Sequence, residues 1–149
     1  MRKLRLKALN ASPADFGLKP TQEFPKVYGA LAEFPMDEGT LTIVSLCDGN
    51  ASLYTTGTFG VIGGFAHEPV RNAAATFVRA AQGFQDEAVT TNEFPYPKSD
   101  RVRFYLLTFD GVRFIDTDLA SLEAGTNKYF TLFVKGNDVI TELRKITMK

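Results

Sequence analysis

The chain has no tryptophan, one cysteine and one histidine among its 149 residues. With Cys47 alone, an internal disulfide is impossible, and a cysteine-based zinc site would have to be shared between chains. Such cysteine usage suits a reducing compartment, so a cytoplasmic protein is the expectation. An excess of charge of either sign is also missing. Lys+Arg and Asp+Glu stand at 17 each, which removes the electrostatic signature of a nucleic-acid or anionic-membrane binder. No uninterrupted apolar run approaches the ~20 residues that a bilayer span needs. The basic cluster Arg2, Lys3, Arg5 and Lys7 is not followed by the apolar stretch of a signal peptide, and it reads as a solvated terminus. Without a secretory route, the triplets Asn10-Ala11-Ser12 and Asn50-Ala51-Ser52 carry no meaning as glycosylation sites.

What is present, 44% hydrophobic and 23% charged residues, describes one ordinary globular domain. Residues 1–26 read as an N-terminal strap, with a helical turn at Ser12-Pro13-Ala14-Asp15 and interruptions at Pro20 and Pro25; residues 27–149 form the core. Residues 27–34 fit both helical and alternating spacing. The Asp37-Glu38-Gly39 turn and the β-prone Thr40–Cys47 that follow favour a strand. Asp48-Gly49 joins Thr40–Cys47 to 51–56, and Asp110-Gly111 joins 102–109 to 112–117, since Asp-Gly accepts the positive φ of a tight hairpin turn.

Between the hairpins, Val70, Ala73, Ala74, Phe77, Ala81 and Phe84 recur at spacings of three and four. They predict an amphipathic helix over 68–84, entered through Pro69. Residues 85–101 are polar with two prolines and read as a long exposed connection, in which Phe94-Pro95-Tyr96-Pro97 is an element that either docks into a partner or, the preferred reading, folds back onto the core. Residues 129–134 read as a strand, and a last helix runs from Asn137 to Thr147. The expected fold is therefore α+β: a mainly antiparallel sheet of five to six strands, with a central Ala-rich helix and a C-terminal helix.

Chemistry has few places to sit. The stretch Gly57-Thr58-Phe59-Gly60-Val61-Ile62-Gly63-Gly64 runs toward the helix start, where backbone N–H groups and the helix dipole could hold an anion. Gly60, Gly63, Gly64, His67 and Arg71 are the candidate ligand-binding residues. The loop matches neither the Walker nor the full dinucleotide pattern, and glycines also serve positive φ and close packing. Cys47, Asp48 and His67 are conceivable nucleophile partners, but Leu46-Cys47-Asp48-Gly49 is a strand entering a turn, and an inert thiol is expected. Asp110, Asp116 and Asp118 invite a metal reading; the turn accounts for the first, and a helix cap before Leu119-Ala120-Ser121-Leu122-Glu123 for the last. No motif calls for a cofactor or metal.

The order of hairpin, Ala-rich helix, hairpin, strand and C-terminal helix is similar to that of roadblock and longin domains, profilin-like sheet folds. It is carried by Thr40–Gly49, Val70–Phe84 and Tyr105–Gly111. The resemblance implies a dimerising scaffold or regulator of small GTPases and motors, and no family site residue transfers. Together these readings point to a non-catalytic interaction or regulatory module, a homodimer or the partner of another protein. The alternative is a domain binding a small ligand or anion, possibly enzymatic, through residues 57–64 with His67 and Arg71.

Overall fold

The computed structural model describes residues 2–36, 39–56, 60–61 and 67–147. Its elements run α1 (Arg2–Asn10), a 3-10 turn (Pro13–Phe16), β1 (Val27–Met36), β2 (Gly39–Leu46), β3 (Ala51–Thr55), β4 (Gly60–Val61), α2 (Glu68–Gln82), β5 (Val89–Thr91), β6 (Arg101–Thr108), β7 (Gly111–Asp118), α3 (Leu119–Ala124) and α4 (Phe130–Thr147). The strands form one sheet in the order β4-β3-β2-β1-β6-β7-β5, and every neighbouring pair is antiparallel. The α+β fold thus stands. Six strands have three or more residues, and β4 adds a two-residue end.

The hairpins follow from their turns. Gly49 and Gly111 have φ of +97° and +123°, so glycine stands where a side chain would be strained. Beyond the turns, β2 and β3 pair Val44 with Ser52, and β6 and β7 pair Tyr105 with Phe114. β1 is a strand, as its neighbouring hairpin suggests, and lies at the centre between β2 and β6.

Alternation along these strands divides the side chains between two faces. Ala30, Ala32, Phe34, Leu41, Ile43, Phe104 and Leu106 point toward the helices, where Val70, Ala74, Phe77 and Ala81 of α2 and Leu132, Val139 and Leu143 of α4 complete the main core. The opposite face carries Tyr28, Leu31, Val44, Leu46, Tyr54, Tyr105 and Leu107, covered by Ala8 and Leu9 of α1 and flanked by Phe16, Phe94 and Phe109.

Three expectations need correction. Residues 129–134 are not a strand, because α4 begins at Phe130. Asn127 starts it: its Oδ1 accepts from Tyr129 N at 2.8 Å and its carbonyl accepts from Phe130 N at 3.0 Å. The buried side follows Leu132, Gly136, Val139, Ile140 and Leu143, so packing on a 3.6-residue period overrides the β preference of Tyr-Phe-Thr-Leu-Phe-Val. The basic N-terminus is helix α1 with Arg5 only 3% exposed, and not a solvated end. The connection 85–101 contains β5, which pairs with β7, while Phe94 packs back on the core as expected.

Gly136 is buried where α4 meets the sheet. A β-carbon there would lie 3.5 Å from Ala32 Cβ and Ile43 Cδ1 and 3.6 Å from Phe34 Cζ, ordinary contact distances. Gly136→Ala is therefore expected to stabilise the fold by up to about 1 kcal/mol, through helix propensity and reduced unfolded-state entropy, read as a higher urea midpoint. A lowered midpoint would show that the interface has no room for a methyl group.

Candidate functional site

The expected anion site falls largely outside the described residues, including Gly63 and Gly64. Gly60 belongs to β4 and pairs with Tyr54. His67 occupies the N-cap position of α2, is exposed, and makes no side-chain capping bond. Its carbonyl accepts from Arg71 N at 3.0 Å, which puts both residues in the first turn of α2. The β2–β3 turn presses on the same place: a β-carbon on Gly49 would come within 2.8 Å of Arg71 Cβ.

The other proposed chemistry is taken up by local structure. Cys47 is half-buried; burial, and then the Asp48 carboxylate, raise its thiol pKa, which disfavours the nucleophilic thiolate. Asp118 caps α3, its Oδ2 accepting from Ser121 N at 2.8 Å. Asp116 accepts from Arg101 Nε at 2.8 Å and Arg103 Nε at 3.1 Å. Among the described residues no cluster of His, Cys, Asp or Glu suits a metal ion, and no helix is long and apolar enough to cross a membrane.

The unexpected polar chemistry lies under α1. Strand register aligns Tyr54, Thr42, Glu33, Arg103 and Asp116 as one row across five strands, β3 to β7 by way of β2, β1 and β6. At its centre Glu33 is fully buried. Arg5 reaches down from α1 to donate from Nε to Glu33 Oε2 at 2.5 Å and from Nη2 to Oε1 at 2.8 Å, while Thr42 Oγ1 donates to Oε2 at 2.5 Å. Arg5 Nη2 also meets the Phe94 carbonyl at 2.8 Å, and its guanidinium lies 4.0 Å from the Tyr96 ring centre. Tyr105 donates its hydroxyl to the Pro95 carbonyl at 2.6 Å. Burial opposes the Arg5 charge, but the Glu33 carboxylate outweighs it and the net pKa moves up. This cluster clamps α1 and the 94–96 loop to the sheet.

Beside the clamp, α1 does not close completely on β2 and β3. A cleft of about 670 Å³ remains. Val44, Leu46, Ser52 and Tyr54 form its floor, Leu4, Lys7, Ala8 and Ala11 its wall, and Asp15 and Phe16 its far end. Tyr54 is 7% exposed, and its hydroxyl makes no hydrogen bond among the described residues. Asn10 Nδ2 is engaged by Leu6 O at 2.9 Å and Asn50 Nδ2 by Asp48 Oδ2 at 2.8 Å, whereas Lys7 forms no ion pair among the described residues. A second, more open hollow of about 750 Å³ beside Cys47 is bordered mainly by exposed strap residues from Gly17 to Glu23, and Phe24 is the one buried apolar residue in its lining.

Tyr28 ties the far end together. It is 2% exposed, donates to the Ala11 carbonyl at 3.5 Å and packs against the Phe16 and Phe109 rings. Burial, with a smaller contribution from the Asp15 carboxylate, pushes its pKa up to about 12. The unfolded phenol ionises near pH 10, so the native state resists losing this proton. Its contribution to stability is complete below pH ~10 and is lost as pH rises toward ~12, up to about 3 kcal/mol in all. Urea titrations across that window should show the decline in wild type and a flatter profile in Tyr28→Phe; parallel profiles would mean that Tyr28 is not the group responsible.

Compared with family models, curated proteins and solved structures, the chain matches none.

Proposed function

We propose that this domain binds a small amphipathic molecule in the cleft between α1 and β2–β3. The observation that carries the reading is the cleft itself: a partly enclosed space of about 670 Å³ whose floor of Val44, Leu46 and Tyr54 is buried and apolar, with the Tyr54 hydroxyl as a polar group in its lining. Ligand sites have volumes of roughly 300–1,000 Å³ and apolar linings with a few polar groups that fix orientation. Binding is favoured over catalysis because the buried carboxylate, Glu33, is held by Arg5 and Thr42, while the charged groups bordering the cleft, Lys7 and Asp15, are exposed. The cleft lies on the face of the sheet opposite α2, whose first turn carries His67 and Arg71.

Amide NMR of the full chain titrated with a fragment set of small aliphatic and aromatic molecules tests this. The expected result is saturable shifts at residues 4–16 and 44–54, lost when Ala8→Trp fills the space. Shifts confined to other surfaces would remove the reading.

Homodimerisation is a second reading, favoured by the sheet edge. Among the described residues β5 pairs only with β7, and Val89 is 58% exposed. An open edge can pair with its two-fold copy. The similarity in layout to roadblock and longin domains, less the strand at 129–134, supports the same reading. It takes second place because a stable interface buries about 1,200–2,000 Å², more than a three-residue strand supplies by itself. Size-exclusion chromatography with light scattering decides it, and a strictly monomeric profile at micromolar concentration would count against the dimer.

A further inference from the structure

We infer that the α1 cleft selects amphipathic monoanions, molecules with one carboxylate or comparable acid head on an apolar body; this rests on the cleft being a ligand site. The first argument is charge. Helix α1, which walls the cleft, has the sequence RKLRLKALN and contains no acidic residue. Arg5 is neutralised by Glu33, but Lys7 lines the cleft with no ion-pair partner among the described residues.

The second argument is register. Arg5 is fixed over the row containing Glu33, Thr42 and Tyr54, and the Ala11 carbonyl accepts from Tyr28. Between these fixed points α1 crosses the floor from its Tyr54 end toward its Leu46 end. Lys7 lies between these two fixed points along α1 and shares the cleft lining with the paired Val44 and Ser52. Its ammonium, the Ser52 hydroxyl and the Tyr54 hydroxyl are the donors that these lining residues supply. An acid head accepts from such donors and an ammonium does not.

The third argument fixes the direction. Asp15 also borders the cleft, and its Oδ2 accepts from Ser12 N at 2.8 Å, so its negative charge stays at the far end. The C-terminal carbonyls of α1 point the same way and carry the negative end of the helix dipole. An acid head is repelled from that end and drawn toward Lys7, Ser52 and Tyr54, while the apolar body lies along Val44, Leu46 and Phe16.

The test compares octanoate, octanol and octylammonium, which share a chain and differ in head charge, by calorimetry and amide NMR on the full chain. Octanoate is expected to bind tightest, with shifts centred on residues 7–8 and 44–54. Lys7→Gln, an exposed substitution that leaves the clamp intact, should weaken octanoate up to about fivefold, the upper range for an exposed ion pair, and leave octanol unchanged. Octanol or octylammonium binding in the cleft as tightly as octanoate would overturn the head-group inference while leaving the cleft a ligand site. Equal loss of octanoate and octanol in Lys7→Gln would overturn the placement of the head. Failure of all three to shift cleft residues would overturn the ligand-site reading itself.

Discussion

Replacing Arg5 with methionine is expected to destabilise the protein by about 3–5 kcal/mol, because it strands the Glu33 carboxylate in a site with no exposure to water. An exposed ion pair is worth under ~1 kcal/mol, so the size of the loss distinguishes a buried clamp from surface decoration. Much of that cost is the desolvation of an unpaired charge and not the attraction itself. Arg5→Met combined with Glu33→Leu should therefore recover most of the loss, since a buried ion pair and a well-packed apolar replacement are often of similar stability. Urea denaturation of the two single variants and the double variant measures the coupling as a thermodynamic cycle. Hydrogen exchange adds a location: in Arg5→Met the amides of α1 should lose protection before those of β1 and β6, because Arg5 is the polar link from that helix to the sheet. A loss below about 1 kcal/mol would mean that α1 is not held by this pair.

The clamp was half-visible in the sequence. Glu33 is the only charged residue in Val27-Tyr28-Gly29-Ala30-Leu31-Ala32-Glu33-Phe34, and a carboxylate inside such a run signals a buried partner. Nothing local names that partner, which comes from a terminal segment 28 residues earlier whose charges resemble a solvated end. The cleft was less legible still, because its lining is gathered from α1, the 3-10 turn and the β2–β3 hairpin, none of which carries a binding motif. Turn chemistry, by contrast, acts over a few residues, so both hairpins could be read directly, although the register makes Cys47-Asp48-Gly49 and Phe109-Asp110 the loops and only the glycines take positive φ. The start of α4 was hidden by β-prone residues, although Gly136 and Leu132 continue the buried spacing backward from Val139 and Leu143. β5 is three residues long and has too little pattern to stand out from a loop.

Helix α2 was legible because its stripe alternates small and large residues, and the same arrangement sets the last expected result. Phe77 is fully buried, and its neighbours on the same helical face, Ala74 and Ala81, are buried too. Alanines let the backbone sit close to the sheet, but they have no atoms with which to fill a neighbouring void. Phe77→Ala should therefore leave a cavity that does not collapse and cost about 3–5 kcal/mol, toward the upper end of that range. A loss below about 2 kcal/mol would show that α2 slides inward to close the gap. Because Phe77 packs on the helix-covered face and the cleft lies on the other, octanoate affinity of the folded variant should stay within about twofold of wild type, as expected for distant, independent sites. A larger change would mean that the two faces communicate through the sheet, in which case α2 is part of how the cleft is shaped.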